Sequence, residues 1–138
     1  MDNKEDLRLI KTINEEYYVD SEGRRQGKCI EYSSLGNIWG ICNYVDNKKD
    51  GEFIRYYYDI DIILFKCNFS KGLFDGEYIQ YYESKRKSLE GNYVKGKKEG
   101  YWLYFEDEEN AIHKIIYYKD GKKCDHPSLE VKNARKKI

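Results

Sequence analysis

The sequence predicts an all-β fold: an elongated, twisted antiparallel meander of stacked β-hairpins that ends in a basic tail. Three observations predict it. Four glycines, Gly27, Gly51, Gly76 and Gly100, stand 24, 25 and 24 residues apart and carry matching neighbours. Within each unit apolar side chains alternate with a period of two, the period of a strand. Fifteen tyrosines against a single proline suit strands joined by tight turns. A chain of 138 residues is expected to form one domain, divided into an N-terminal edge strand or cap (1–16), a repeat array (17–125) and the tail (126–138).

The repeat fixes the elements in order. Segment 1–16 alternates poorly, and within it LRLIKTI (7–13) reads as a first edge strand in preference to a short helix. Three residues after each glycine stands Ile30, Ile54, Ile79 or Leu103, and five after it Tyr32, Tyr56, Tyr81 or Phe105. Seven residues before the last three glycines stands Tyr44, Phe69 or Tyr93. These positions define a first strand after each glycine and a second strand at Ile38–Tyr44, Ile62–Phe69, Lys87–Tyr93 and Ile112–Tyr118. Turn-like stretches separate the two: SSLGN (33–37), YDID (58–61), ESKR (83–86) and EDEEN (106–110). The glycines end the linking turns, where positive φ favours a residue without Cβ. Asp50, Asp75 and Glu99 precede three of them, either to accept a turn N–H or to keep the turn solvated. One hairpin cannot hold itself, so successive units must share ladders and side-chain rows.

The hairpin of about 24 residues, with Gly76–Tyr82 followed by Tyr93–Gly100 and with Gly51–Tyr57 as the next best copy, resembles the variant form of the MORN repeat. The resemblance covers roughly residues 17–125. In YYVDSEGRRQG (17–27) the linking turn is longer by two residues when Tyr18 takes the aromatic slot, and Asp125 stands where the last unit would carry glycine. The terminal units are therefore expected to act as caps. The resemblance implies a binding or scaffolding module, in arrays found beside kinase or methyltransferase domains or at membranes. It also implies kinship with bacterial proteins described as antitoxins and with proteins of large DNA viruses of amoebae. It transfers no catalytic residue.

Alternation places Ile30/Tyr32, Ile54/Tyr56, Ile79/Tyr81 and Leu103/Phe105 on one face, read as the core. Phe53, Tyr57, Tyr78, Tyr82, Trp102 and Tyr104 fall on the other face. A single-layer sheet leaves one row partly exposed, so these six are the expected partner-binding residues, against the alternative that twist or a terminal segment buries them. Lys48, Lys49, Lys97 and Lys98, with Arg24-Arg25 and Lys122-Lys123, line the linking-turn edge. That edge reads as simply solvated or as a site for an anionic partner. Leu73-Phe74 interrupts it.

Other chemistry is thin. Basic and acidic residues balance at 25 each, against nucleic-acid binding by overall charge. The longest apolar run, Ile62–Phe65, is far below a bilayer span, and MDNKEDLRLIK lacks the apolar core of a secretory signal. A soluble cytoplasmic protein is expected, in the host cytoplasm if the source is viral. Cys29, Cys42, Cys67 and Cys124 show no metal spacing, and Cys42 and Cys67 sit about 9–10 Å apart across two strands, too far for a disulfide. They read as small buried hydrophobes. No metal, cofactor or catalytic set is expected: there are two histidines, and Asp59-x-Asp61 and Glu106–Glu109 belong to turns. The tail SLEVKNARKKI (128–138) reads as a short helix packed back on the sheet or as a disordered arm. The expected function is a non-catalytic protein-interaction scaffold. An antitoxin or immunity protein that binds a toxin is the first alternative, and a peripheral adaptor on anionic membrane the second. Oligomeric state is left open, an edge-strand dimer included.

Overall fold

A computed structural model describes residues 6–109 and 111–125. The tail 126–138, and with it the expected C-terminal helix, lies outside the described residues. Among those described, twelve strands form one antiparallel sheet, ordered along the chain from β1 at one edge to β12 at the other. They are β1 (Arg8–Lys11), β2 (Glu15–Val19), β3 (Gly27–Tyr32), β4 (Ile38–Val45), β5 (Lys48–Lys49) and β6 (Gly51–Tyr56). After these come β7 (Ile63–Ser70), β8 (Leu73–Tyr81), β9 (Lys87–Val94), β10 (Lys97–Phe105), β11 (Ile112–Lys119) and β12 (Lys122–Cys124). The expected all-β hairpin meander is what forms, and LRLIKTI supplies the edge strand β1. No helix among the described residues is long and apolar enough to cross a membrane.

The sheet has two kinds of rim. On one, two-residue turns at Asp46-Asn47, Lys71-Gly72, Lys95-Gly96 and Asp120-Gly121 carry positive φ at both positions. This is the type I′ geometry that matches strand twist. The expectation that Gly51, Gly76 and Gly100 end these turns needs correction: each lies four residues past the turn, within the next strand. Positive φ is still required there, at 96°, 99° and 78°. At these points the register slips by two residues, between Cys67/Phe69 on β7 and Tyr78/Phe74 on β8, and between Asn92/Glu90 on β9 and Glu99/Leu103 on β10. The extra length bends the strand. Phe74 and Tyr78 flank Gly76 with ring centroids 6.3 Å apart, whereas four residues of straight strand span about 13 Å.

That bend decides the core. The turn-side third of each hairpin folds over one face, so a single layer encloses its own interior. Cys29, Cys42, Phe53 and Cys67 form a buried cluster, with Trp102 and Ile116 buried farther along. A chain of rings runs across the sheet: Phe53 to Phe69 at 5.7 Å, Phe69 to Phe74 at 4.7 Å, Phe74 to Tyr93 at 4.8 Å and Tyr93 to Trp102 at 4.9 Å. Such pairs each add about 0.5–1.5 kcal/mol beyond burial. The face expected to be the core, Ile30/Tyr32, Ile54/Tyr56, Ile79/Tyr81 and Leu103/Phe105, is only half-buried. It lies on the side away from the bend, and among the described residues no strand crosses it.

The acid before each glycine also has a definite role. Lys71 N–H donates to Asp50 (3.2 Å), Lys95 N–H to Asp75 (3.1 Å) and Asp120 N–H to Glu99 (2.9 Å). Gln26 does the same for Asp46 N–H (3.0 Å). Each unit thus holds the tight turn of the next, and backbone bonds such as Gly72 N–H to Lys49 C=O (2.8 Å) accompany them. The first linking loop lacks the type I′ turn. Val19, pairing with Arg25, takes the slot that Tyr44 occupies in pairing with Lys49, so Val19 and not Tyr18 is the equivalent residue. The loop is then one residue longer than its counterparts, not two. Buried Asp20 closes it, accepting the Glu22 and Arg24 N–H groups (both 2.9 Å), Arg24 Nε (2.8 Å) and Gln26 Nε2 (3.0 Å).

Candidate functional site

The six residues expected to meet a partner build the protein itself. Phe53 is 3% and Trp102 0% exposed, so neither presents a surface. Tyr78 stacks on Phe65 at 5.4 Å, its hydroxyl donates to Gln80 Oε1 (3.0 Å), and burial pushes that hydroxyl up to about 12. Tyr57 and Tyr82 lie beyond a register step at the end of each first strand. Their hydroxyls donate to the next unit's backbone, Tyr57 to Tyr81 C=O (2.7 Å) and Tyr82 to Phe105 C=O (2.6 Å). Tyr104 is half-buried, with Lys114 Nζ 5.8 Å from its ring centre. For Phe53, Tyr78 and Trp102 the physical reason is the same: the face that alternation left open is the one the glycine bends enclose.

The lysine row divides in two. Lys49 Nζ sits 4.6 Å from the Phe53 ring, and Lys98 Nζ sits 4.7 Å from Trp102 and 5.0 Å from Tyr118. These two lysines are folded back as lids on the core rings by the bends at Gly51 and Gly100. Lys48 and Lys97 stay exposed, with their aliphatic stems laid along the turn glycines Gly72 and Gly121. Two of the four expected cations are therefore left to face an anionic partner.

Cys29, Cys42 and Cys67 are buried free thiols, as small core hydrophobes would be. Cys29 and Cys42 face each other directly on β3 and β4. Their mutual hydrogen bond, reinforced by burial, pushes the Cys42 thiol far up. No group of three or more potential metal ligands is found among the described residues.

The surface the sequence did not single out lies on the opposite rim, where the longer hairpin loops emerge. In each hairpin the return strand has one extra residue there: Trp39, Leu64, Ser88 and His113 occupy equivalent bulges. The first of these is an aromatic at the rim. Trp39 is 36% and Tyr58 52% exposed, and their rings meet edge to face at 5.6 Å. Leu35, Ile38 and Ile60 are exposed beside them. The pair is held in place. Arg55 lies 4.0 Å over the Trp39 ring and is itself fixed by Glu31 at 2.7 Å. Tyr58 Oη accepts Ser34 N–H (3.2 Å) and shares a hydrogen bond with Ser34 Oγ (3.0 Å). The loops are tied together by Ser33 Oγ donating to the Asp59 carboxylate, which also takes Asn37 Nδ2 (3.3 Å). A cleft of about 320 Å³ opens between Glu15, Glu31, Tyr32, Trp39 and Tyr58, and a second of about 370 Å³ between Asn37, Ile38, Asp59, Ile60 and Asp61. The one signal available in the sequence was a tryptophan at a position where the other units carry leucine, serine and histidine.

No protein-family model matches the chain, and a search of the curated proteins finds no match.

Proposed function

We propose that this chain is a non-catalytic interaction scaffold, a MORN-variant array whose repeats build the sheet and whose partner is another protein met at the long-loop rim. One observation carries the reading: Trp39 and Tyr58 form an exposed aromatic pair already fixed by Arg55, Glu31 and Ser34. Tryptophan and tyrosine dominate binding energy at protein interfaces. A pair held before binding loses little side-chain entropy when it is covered. Phe53, Tyr78 and Trp102 are taken up by the core, and Tyr57 and Tyr82 by hydrogen bonds between units. Tyr101, 44% exposed, stands against Tyr117 at 5.0 Å on another part of the sheet. It is at Trp39 that a cleft lined by the pair and a cation over the ring come together.

Affinity purification from the native host tests the reading, with variants that keep the core intact. Trp39→Ala and Tyr58→Ala are expected to lose the partner, while Lys48→Glu with Lys97→Glu retains it. A partner kept by both aromatic variants, or lost on reversing the lysines, would refute this placement of the interface.

A further inference from the structure

We infer that the rim around Trp39 and Tyr58 binds a protein segment in which an apolar side chain stands next to a lysine or arginine. The inference rests on the interaction reading above and adds the chemistry of the partner. The apolar half of the requirement comes from the patch itself. Ile38 and Trp39 at the start of β4 and Tyr58 and Ile60 on the neighbouring loop are exposed, with one cleft lined by Trp39 and Tyr58 and another by Ile38 and Ile60. Rings and branched aliphatic chains held apart by clefts favour a side chain that can enter between them.

The cationic half comes from the charges that remain uncompensated. In the cleft on the Trp39 side, Glu31 is paired with Arg55 at 2.7 Å and Glu15 with Arg25 at 2.8 Å. Those carboxylates are spoken for. The other cleft is lined by Asp59 and Asp61 with no cation in its lining. Asp59 takes neutral donors, Ser33 and Asn37, so its charge is retained. Asp61 is exposed and pairs with no cation among the described residues. It also borders a third cleft, of about 450 Å³, lined with Ile62, Ile63, Tyr56 and Tyr81, where the cation is Lys85. A segment whose apolar side chain is anchored at Trp39 and Tyr58 therefore meets, in the adjoining cleft that begins at their chain neighbours Ile38 and Asp59, two carboxylates and no cation in the lining. Charge of this kind steers encounter and selects among partners more than it adds affinity. The same negative rim disfavours an acidic peptide and an anionic membrane.

Panning a random twelve-residue peptide library on the immobilised full chain tests the inference. Peptides enriched for a tryptophan, phenylalanine or leucine next to lysine or arginine are expected. Trp39→Ala should weaken the best of them by more than about 30-fold. Asp61→Asn, which alters no contact within the fold, should weaken them about fivefold at low salt, with a smaller effect at high salt. Peptides that depend on Trp39 but are neutral or acidic, or that ignore Asp61→Asn, would overturn the cationic partner while sparing the interface. Peptides indifferent to Trp39→Ala, or no enrichment at all, would overturn both. Concentration-dependent dimerisation lost in Trp39→Ala, seen by sedimentation equilibrium, would show that a second copy of this chain covers the rim and would overturn the inference.

Discussion

Replacing Gly91 by alanine adds one carbon where the core has no room. Gly91 lies on β9 beneath the indole of Trp102, and a Cβ built there falls 2.2 Å from Cδ2, 2.3 Å from Cε2 and 2.6 Å from Cε3. Carbon atoms pack at about 3.5–4.0 Å, so the ring would have to retreat by about 1.3 Å or more. Its surroundings leave it nowhere to go. Tyr93 stands at 4.9 Å, Tyr78 at 5.7 Å and Tyr118 at 6.3 Å, with Lys98 across its face. Overpacking of a tight core costs about 1–3 kcal/mol, and a displacement this large belongs at the upper end. Alanine in place of glycine also restricts the unfolded chain, which by itself stabilises by about 0.4–1 kcal/mol. The net expectation for Gly91→Ala is a loss of about 2 kcal/mol, measured by urea unfolding followed by far-UV circular dichroism. Two companions sharpen the test. In a Trp102→Leu background the penalty of Gly91→Ala should fall below about 0.5 kcal/mol, since the clashing ring is gone. Gly40→Ala meets only the movable ends of Arg55 and Glu31, at 2.9 and 3.1 Å, and should cost less than about 1 kcal/mol. A neutral or stabilising Gly91→Ala, or the same loss with and without Trp102, would refute the packing described for this core.

Gly51→Val and Gly100→Val, at φ of 96° and 78°, should each destabilise by more than about 1 kcal/mol in the same urea assay; unchanged midpoints would remove the bends as the origin of the core. Asp75→Ala leaves Lys95 N–H without its acceptor, and a loss of about 0.5–1.5 kcal/mol is expected. Amide exchange should speed up at Lys95 and Gly96 first, and uniform protection across that turn would count against the unit-to-unit tie. Asp20 is held down to about 2 by the Gln26 amide above all, with Arg24 and nearby N–H groups adding to it against the opposing effect of burial. Its folded value lies below the ordinary 3.8, so its contribution is full above that value and fades as pH falls towards 2. Asp20→Asn should therefore flatten the stability profile between about pH 4 and pH 2, and a profile of unchanged slope would contradict this role.

Much of this molecule is legible along the chain because its governing features are local. The spacing of Gly27, Gly51, Gly76 and Gly100 reports a backbone that needs positive φ, and the alternation around Ile54 and Tyr56 reports a strand, whatever lies across the sheet. The acids before the glycines stood out in the sequence either as turn acceptors or as solvated turn residues, and only the structure shows that they accept, Asp50 serving the following turn rather than its own. The candidate site was not legible. Trp39 reaches the rim because one extra residue shifts the register between Glu31/Gly40 and Tyr32/Ile38, and nothing in the spacing marks where a bulge will fall.

By itself the sequence determined the class of fold, the repeat length, the strand order and the positive φ of Gly27, Gly51, Gly76 and Gly100, because each depends on dihedral preference and nearest neighbours. It could not determine which face is the inside. Both faces carry large apolar side chains in alternation, Ile54 and Tyr56 on one and Phe53 on the other, so the pattern is equally satisfied by either choice. Only the tertiary structure decided it, through the direction in which the strands bend at Gly51, Gly76 and Gly100. That direction enclosed Phe53 and Trp102, turned Lys49 and Lys98 onto their rings, and left Trp39 and Tyr58 at the rim as the aromatic pair open to a partner.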